Sequence, residues 1–318
     1  MTIYLPIAEI PINIFLLFFV GGVGGILAGM FGIGGGFLIT PILIFLGVPP
    51  SVAVATSANQ IIASSVTGFM GHWYKKNVDI KLGMYLLVGG VAGSYIGIMI
   101  FSLLKKIGQI DLAISLIYVL FLGSIGVIMA LESGRSLLGK HKKVSGEKEA
   151  PNIFAKILGI YKLKAYLKTK TLPFHVKFEA SGLDISAILP LGIGLFAGVL
   201  VSIMGIGGGF IMIPAMIYLL KMPSKLVVGT SLFQIIFITS IVTIMHTIST
   251  QSVDVVLALI LIVGGVIGAQ MGLKMGAKLP AEKMRFVLSV IILIVCLRLA
   301  VGLFFEPSEL FTIEQVFE

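Results

Sequence analysis

Long apolar runs recur along the chain, separated by short polar turns. They cover 12–30, 37–47, 52–70, 83–103 and 111–130, then 187–203, 210–220, 226–246, 255–273 and 285–304. A helix needs about 20 apolar residues to cross a bilayer. Two runs, 37–47 and 210–220, are too short to cross comfortably. Each follows a GIGGG string, which breaks a helix and permits unusual backbone torsions. The pattern predicts an all-α polytopic membrane protein in which 12–47 and 187–220 are broken or re-entrant helix pairs. Whether each pair crosses twice or turns back within the bilayer is left open by the pattern.

The two short runs belong to a duplication. GIGGGF stands at 32–37 and again at 205–210, 173 residues later, with Pro41 and Pro214 at matching places. At an offset of 174, TSANQII (56–62) answers TSLFQII (230–236) and His72 answers His246; at 175, VGGVAGSYIG (88–97) answers VGGVIGAQMG (263–272). Two related units of roughly 12–130 and 186–305 follow. The chain divides into a first transmembrane repeat over 1–130, a basic linker over 131–185 and a second repeat over 186–318.

Composition agrees with the pattern. The chain is 58% hydrophobic and only 12% charged, against about 25% charged in an ordinary soluble domain. The net charge of +9 is not a nucleic-acid signal, because 11 of the 23 Lys and Arg lie between Arg135 and Lys177. The rest flank apolar runs, where they orient helices. No Lys or Arg precedes Lys75. The first run therefore lacks the basic flank of a cleavable signal peptide and is expected to remain in the protein.

Positive charge also predicts the topology. With the N-terminus outside, the Lys-bearing turns 74–81, 221–225 and 274–285 and the linker fall inside. The stretch 247–254 and the acidic C-terminus fall outside. Lys105 and Lys106 alone sit against the rule. The first unit then starts outside and the second inside, so the repeats have inverted topology. That is the plan of many secondary transporters with a site near the membrane midplane. Within the linker, 152–170 mixes apolar residues with Lys at near-helical spacing. It is either an amphipathic helix on anionic lipid or a solvated basic loop.

Candidate chemistry follows from depth. Non-helical backbone inside a bilayer is tolerated where protein packs it or a wet cavity lines it. Gly34, Gly35 and Gly36, with Gly207, Gly208 and Gly209, are candidate ligand loops. Their backbone N–H groups can approach a ligand closely, and each precedes a helix whose positive end favours an anion. Tight helix packing is the competing reading. Thr56, Ser57, Asn59 and Gln60, with Thr230, Ser231 and Gln234, offer neutral hydrogen-bond donors. Asn59 aligns with Phe233, which makes the set asymmetric. Helix capping and helix–helix contacts compete for the Thr and Ser positions; the two Gln lie deeper, where polar groups are costly. His72 and His246 at helix ends are candidates for gating or proton-linked steps. Asp79 and Asp254 precede matching segments and are expected near the surface. Arg298, in the last run, is expected to reach the outer surface.

The paired G-x-GGG-F…P blocks, each followed by a T-S…Q block, resemble the TauE/SafE sulfite exporter family, over both repeats but not the linker. The resemblance implies export of a small sulfur-containing anion such as sulfite, sulfoacetate or another organosulfonate, with the glycine loops and the T-S…Q residues at the site. No cofactor and no metal set is expected, and no Ser/His/Asp or nucleotide motif points to an enzyme. An anion channel with the loops as a static filter, or a scaffold or sensor working through the linker, are the alternative functions.

Overall fold

The computed structural model describes residues 2–31, 33–137, 174–276 and 281–304. Each apolar run is a helix. The first half holds α1 (Ile14–Phe31), α2 (Gly36–Phe45), α3 (Pro50–Tyr74), α4 (Ile80–Ile107) and α5 (Ile110–Leu137). The second holds α6 (Ile188–Met204), α7 (Gly209–Tyr218), α8 (Ser224–Ser249), α9 (Val255–Gly276) and α10 (Ala281–Phe304). Among the described residues, 5 helices are long and apolar enough to cross a membrane: α1, α4, and most of α5, α8 and α9. α3 has the length, at 25 residues, but the polar residues along it lower its hydropathy. The outside of the bundle is apolar: Phe15, Phe19 and Leu297 are 69%, 67% and 68% exposed. Large apolar side chains in such number face lipid, not water. This is a multi-pass membrane protein.

The chain also carries two antiparallel hairpins that the apolar pattern did not disclose. β1 (Thr2–Leu5) pairs with β2 (Ile10–Asn13), and β3 (His175–Phe178) pairs with β4 (Leu183–Ser186). Glu9 and Gly182 close the turns at φ of 56° and 67°, and Leu5 and Phe178 bury the undersides. The two hairpins stand 173 residues apart, at the offset of the glycine motifs. The match between the two halves thus extends back through the hairpins at 2–13 and 175–186. β3 and β4 fall inside the segment expected as linker, and α5 runs into its start. The amphipathic stretch 152–170 lies outside the described residues.

Helices pair by exchange between the halves. α1 lies along α9, and α6 along α4. Glycines at four-residue spacing make both seams. A methyl on Gly21, Gly25 or Gly29 of α1 would stand 2.7, 2.1 or 2.2 Å from a backbone oxygen of α9. Gly89 and Gly93 of α4 meet Leu191 and Leu195 of α6 equally closely, at 2.1 and 2.0 Å. Small residues let helix backbones approach where no hydrophobic force separates protein from lipid. α3 packs on α8, and α5 on α10, each against its own counterpart.

Contacts sort the helix ends into two groups. Asp254 Oδ2 accepts from the N–H groups of Ile7 and Ala8. Lys105 Nζ donates to Thr250 O and Ser252 Oγ, and Asp111 Oδ1 accepts from Ser51 N. These join the first hairpin, 49–51, 105–111 and 250–254 at one end. At the other, Asp79 Oδ2 accepts from Ser181 N, and Lys81 Nζ donates to Lys177 O. Lys105, which sat against the charge rule, is held by the carbonyl and hydroxyl at the end of α8.

Candidate functional site

The two glycine loops meet at the centre. Gly34 and Gly35 have φ of 83° and 73°, and Gly207 and Gly208 have 78° and 72°. Only glycine adopts such consecutive left-handed torsions without strain. Gly35 and Gly208 are the N-caps of α2 and α7, with no side-chain capping bond. Two residues on, Phe37 and Phe210 stack with ring centroids 5.3 Å apart and planes 13° from parallel. Pro41 and Pro214 lie inside the short helices. Proline donates no N–H four residues back, which releases the carbonyls of the stacked phenylalanines.

Ile61 of α3 and Ile235 of α8 fill the space between the loops. A methyl on Gly36 would stand 2.1 Å from Ile61 Cδ1, and one on Gly207 would stand 2.7 Å from Ile61 Cγ2. One on Gly209 would stand 2.7 Å from Ile235 Cδ1. Both isoleucines are fully buried. The loops are thus closed on apolar side chains in this conformation.

Beside each isoleucine is a buried glutamine. Gln60 is 0% and Gln234 1% exposed. Gln60 Oε1 and Nε2 and Gln234 Oε1 have no hydrogen-bond partner among the described residues. Buried amides are normally satisfied, because desolvation without a bond costs about 1–3 kcal/mol. Each lies against a glycine of the opposite half: methyls on Gly265 and Gly90 would stand 2.5 Å from Gln60 Nε2 and 3.2 Å from Gln234 Nε2. The two positions are matched and reciprocal.

The hydroxyl candidates divide differently. Thr56 Oγ1 accepts from Asp254 N at 3.0 Å, and Thr230 Oγ1 accepts from Asp79 N at 2.9 Å. Both Asp are buried, against the expectation of a surface place. They lie at the starts of α9 and α4 as helix caps: Asp254 Oδ1 accepts from Leu257 N, and Asp79 Oδ1 from Leu82 N. The second carboxylate oxygen of each holds the other half's hairpin turn. A carboxylate is buried here because N–H donors satisfy it, in place of water. Ser57 shares a 2.7 Å hydrogen bond with Thr40 and donates to Val54 O. Ser231 Oγ donates to Val228 O, and Asn59 Nδ2 to Thr56 O. The structure therefore brings the two glycine loops together around Ile61 and Ile235, seats Gln60 and Gln234 against Gly265 and Gly90 of the opposite halves, and uses Thr56 and Thr230 to hold the halves together.

Residues 17–299 match the family described as Sulfite exporter TauE/SafE. The chain belongs to the TauE/SafE family. Among its relatives is the probable membrane transporter protein YjnA of Bacillus subtilis, 28% identical over 86% of this chain and 95% of that protein. A probable membrane transporter of Methanocaldococcus jannaschii is 30% identical over 68% of this chain and 66% of its own. Sulfite exporter TauE/SafE family protein 3 of Arabidopsis thaliana is 30% identical over 34% of this chain and 24% of its own. No solved structure matches the chain. Family membership places the protein among membrane transporters.

Other residues of this TauE/SafE chain were weighed from sequence or missed. His246 is buried, edge-on to the Phe101 ring at 4.5 Å, with Nε2 donating to Ser202 O at 3.0 Å. His72 is half-buried at the matching place, and its Nδ1 has no partner among the described residues. Each is twelve residues past its glutamine, about 18 Å along the helix. Arg298 is exposed on the outside of the bundle. Sequence reasoning passed over Ser64, which donates to Gly34 O at 3.2 Å, and Ser65 beside it. The signal was present: Ser64 stands four residues after Gln60, on the same helical face.

Proposed function

We propose that this protein is a secondary transporter exporting a small sulfur-containing oxyanion such as sulfite, sulfoacetate or a related organosulfonate by alternating access. The observation that carries the reading is the matched pair of buried glutamines, Gln60 and Gln234, each next in sequence to an isoleucine packed on the glycine loops and each with amide atoms left without partners. An oxyanion has acceptors in every direction and takes neutral amide, hydroxyl and backbone N–H donors. α2 and α7 both start at the loops, and two helix N-termini add positive potential without a buried base. The buried carboxylates, Asp79 and Asp254, are engaged in capping bonds at the helix ends, leaving the centre free of negative charge. The substrate class is taken from the family to which the chain belongs.

The repeats, in this reading, have inverted topology. The reciprocal contacts support it: each hairpin docks on the other half's capping Asp, and the two clasps lie at opposite ends of the bundle. The lysine-rich end, with 74–81 and 221–225, faces the cytoplasm, and both termini lie outside. The inside-negative potential then favours export, at about 2.3 kcal/mol per charge per 100 mV. Ile61 and Ile235 close the loops on both sides. That packing favours a carrier that must rearrange over a channel with a standing filter.

The test is exchange of labelled sulfite, sulfoacetate and taurine in proteoliposomes. Saturable uptake, accelerated by unlabelled anion on the far side, is the expected result. Ohmic, non-saturating conductance makes the protein a channel, and no movement of any of the three removes the substrate class.

A further inference from the structure

We propose that Ser65 is a direct substrate contact, and that the anion lies off the symmetry line of the two halves, on the side of the first glycine loop. The inference rests on the transporter reading above and adds a specificity-determining residue to it. Ser65 is fully buried, and its hydroxyl has no hydrogen-bond partner among the described residues. It points at the first loop: a methyl on Gly34 would stand 3.5 Å from Ser65 Oγ, 3.0 Å from Ile61 and 3.8 Å from Ile235. A helical serine ordinarily donates to a carbonyl one turn back. Ser64 does so to Ile61 O, Ser94 to Gly90 O and Ser240 to Ile236 O. Ser65 forgoes that bond in a place where an unmade bond is costly.

The matching position in the second half behaves otherwise. Thr239 Oγ1 donates to Ile235 O at 2.6 Å, so its hydroxyl is spent within its own helix. The difference extends around the centre. Ser64 ties down the first loop through Gly34 O, whereas its counterpart is Ile238. The free hydroxyl of the matched pair is therefore that of Ser65, on α3. A ligand that only accepts hydrogen bonds is drawn to that side. Serine's short reach requires such a ligand to sit against Gly34, which suits a compact oxyanion head group.

Ser65→Ala and Thr239→Val, each in the full chain, test this with two readouts. One is the KM and kcat of labelled sulfite transport in proteoliposomes; the other is thermal unfolding in detergent with and without sulfite. Loss of one hydrogen bond to a charged ligand predicts a sulfite KM raised about tenfold in Ser65→Ala, with kcat nearly unchanged. Without sulfite, Ser65→Ala should unfold no earlier than wild type, because the hydroxyl has no partner to lose, and about tenfold more sulfite should be needed for the same rise in its unfolding temperature. Thr239→Val should leave KM unchanged. An unaltered KM in Ser65→Ala, or an equal rise in Thr239→Val, overturns the proposal. A wild-type protein that neither moves sulfite nor is stabilised by it overturns the transporter reading itself, and the contact with it.

Discussion

The two ends of the bundle and its centre treat the duplication in opposite ways. At the ends the copies are alike. Asp79 caps α4, meets Thr230 and holds the second hairpin through Ser181 N. Asp254 caps α9, meets Thr56 and holds the first hairpin through Ile7 and Ala8. At the centre the copies diverge. Thr40, Ser64 and Ser65 of the first half stand opposite Ile213, Ile238 and Thr239 of the second. The contrast separates scaffold from function. A clasp that must hold both halves tolerates little change in either, whereas a ligand without twofold symmetry is better fitted by a site that has lost its own.

The largest effect should come from cutting a clasp. Asp254→Ala leaves three N–H donors without an acceptor and Asp79→Ala leaves two. Each should cost about 1–3 kcal/mol or more, with Asp254→Ala the worse. Unfolding in detergent micelles measures both, and a clasp whose loss leaves stability intact breaks the comparison. Thr56→Val and Thr230→Val come next. Each removes one acceptor from a buried Asp N–H and should lower stability by about 1 kcal/mol, equally in the two halves. Unequal losses, or a changed sulfite KM with unchanged stability, would move these threonines from scaffold to site. Asn59→Ala should do least. Its amide makes one long bond of 3.4 Å within its own helix, and transport kinetics should stay near wild type.

The helices were legible because lipid and glycine write strong patterns. Every apolar run became a helix, and the short runs after GIGGG became the ten-residue α2 and α7. The hairpins were not legible. Their strands have four residues each, too few for an alternation to register, and the second is embedded in polar sequence. The pairing of α1 with α9 was hidden for another reason. The glycines of VGGVIG are visible in sequence, but which helix they face is decided only when the chain is folded. Asp79 and Asp254 were expected near the surface because position along the chain shows a helix start but not the hairpin that covers it. Of the candidate site, the glycine torsions followed from composition. That Thr56 turns to Asp254 while Gln60 keeps its amide free is a matter of partners 198 residues away, beyond any local pattern.

The most direct test of the account is sulfite exchange by Gln60→Ala, Gln234→Ala and the double variant in proteoliposomes, alongside their unfolding temperatures. Both glutamines are buried without full hydrogen bonding, so truncation should spare stability while saturable exchange falls by an order of magnitude or more. Gln60→Ala should show the larger loss, because its donors lie on the better-furnished side. Exchange at the wild-type rate in the double variant, with the fold intact, would contradict the account and return both residues to packing.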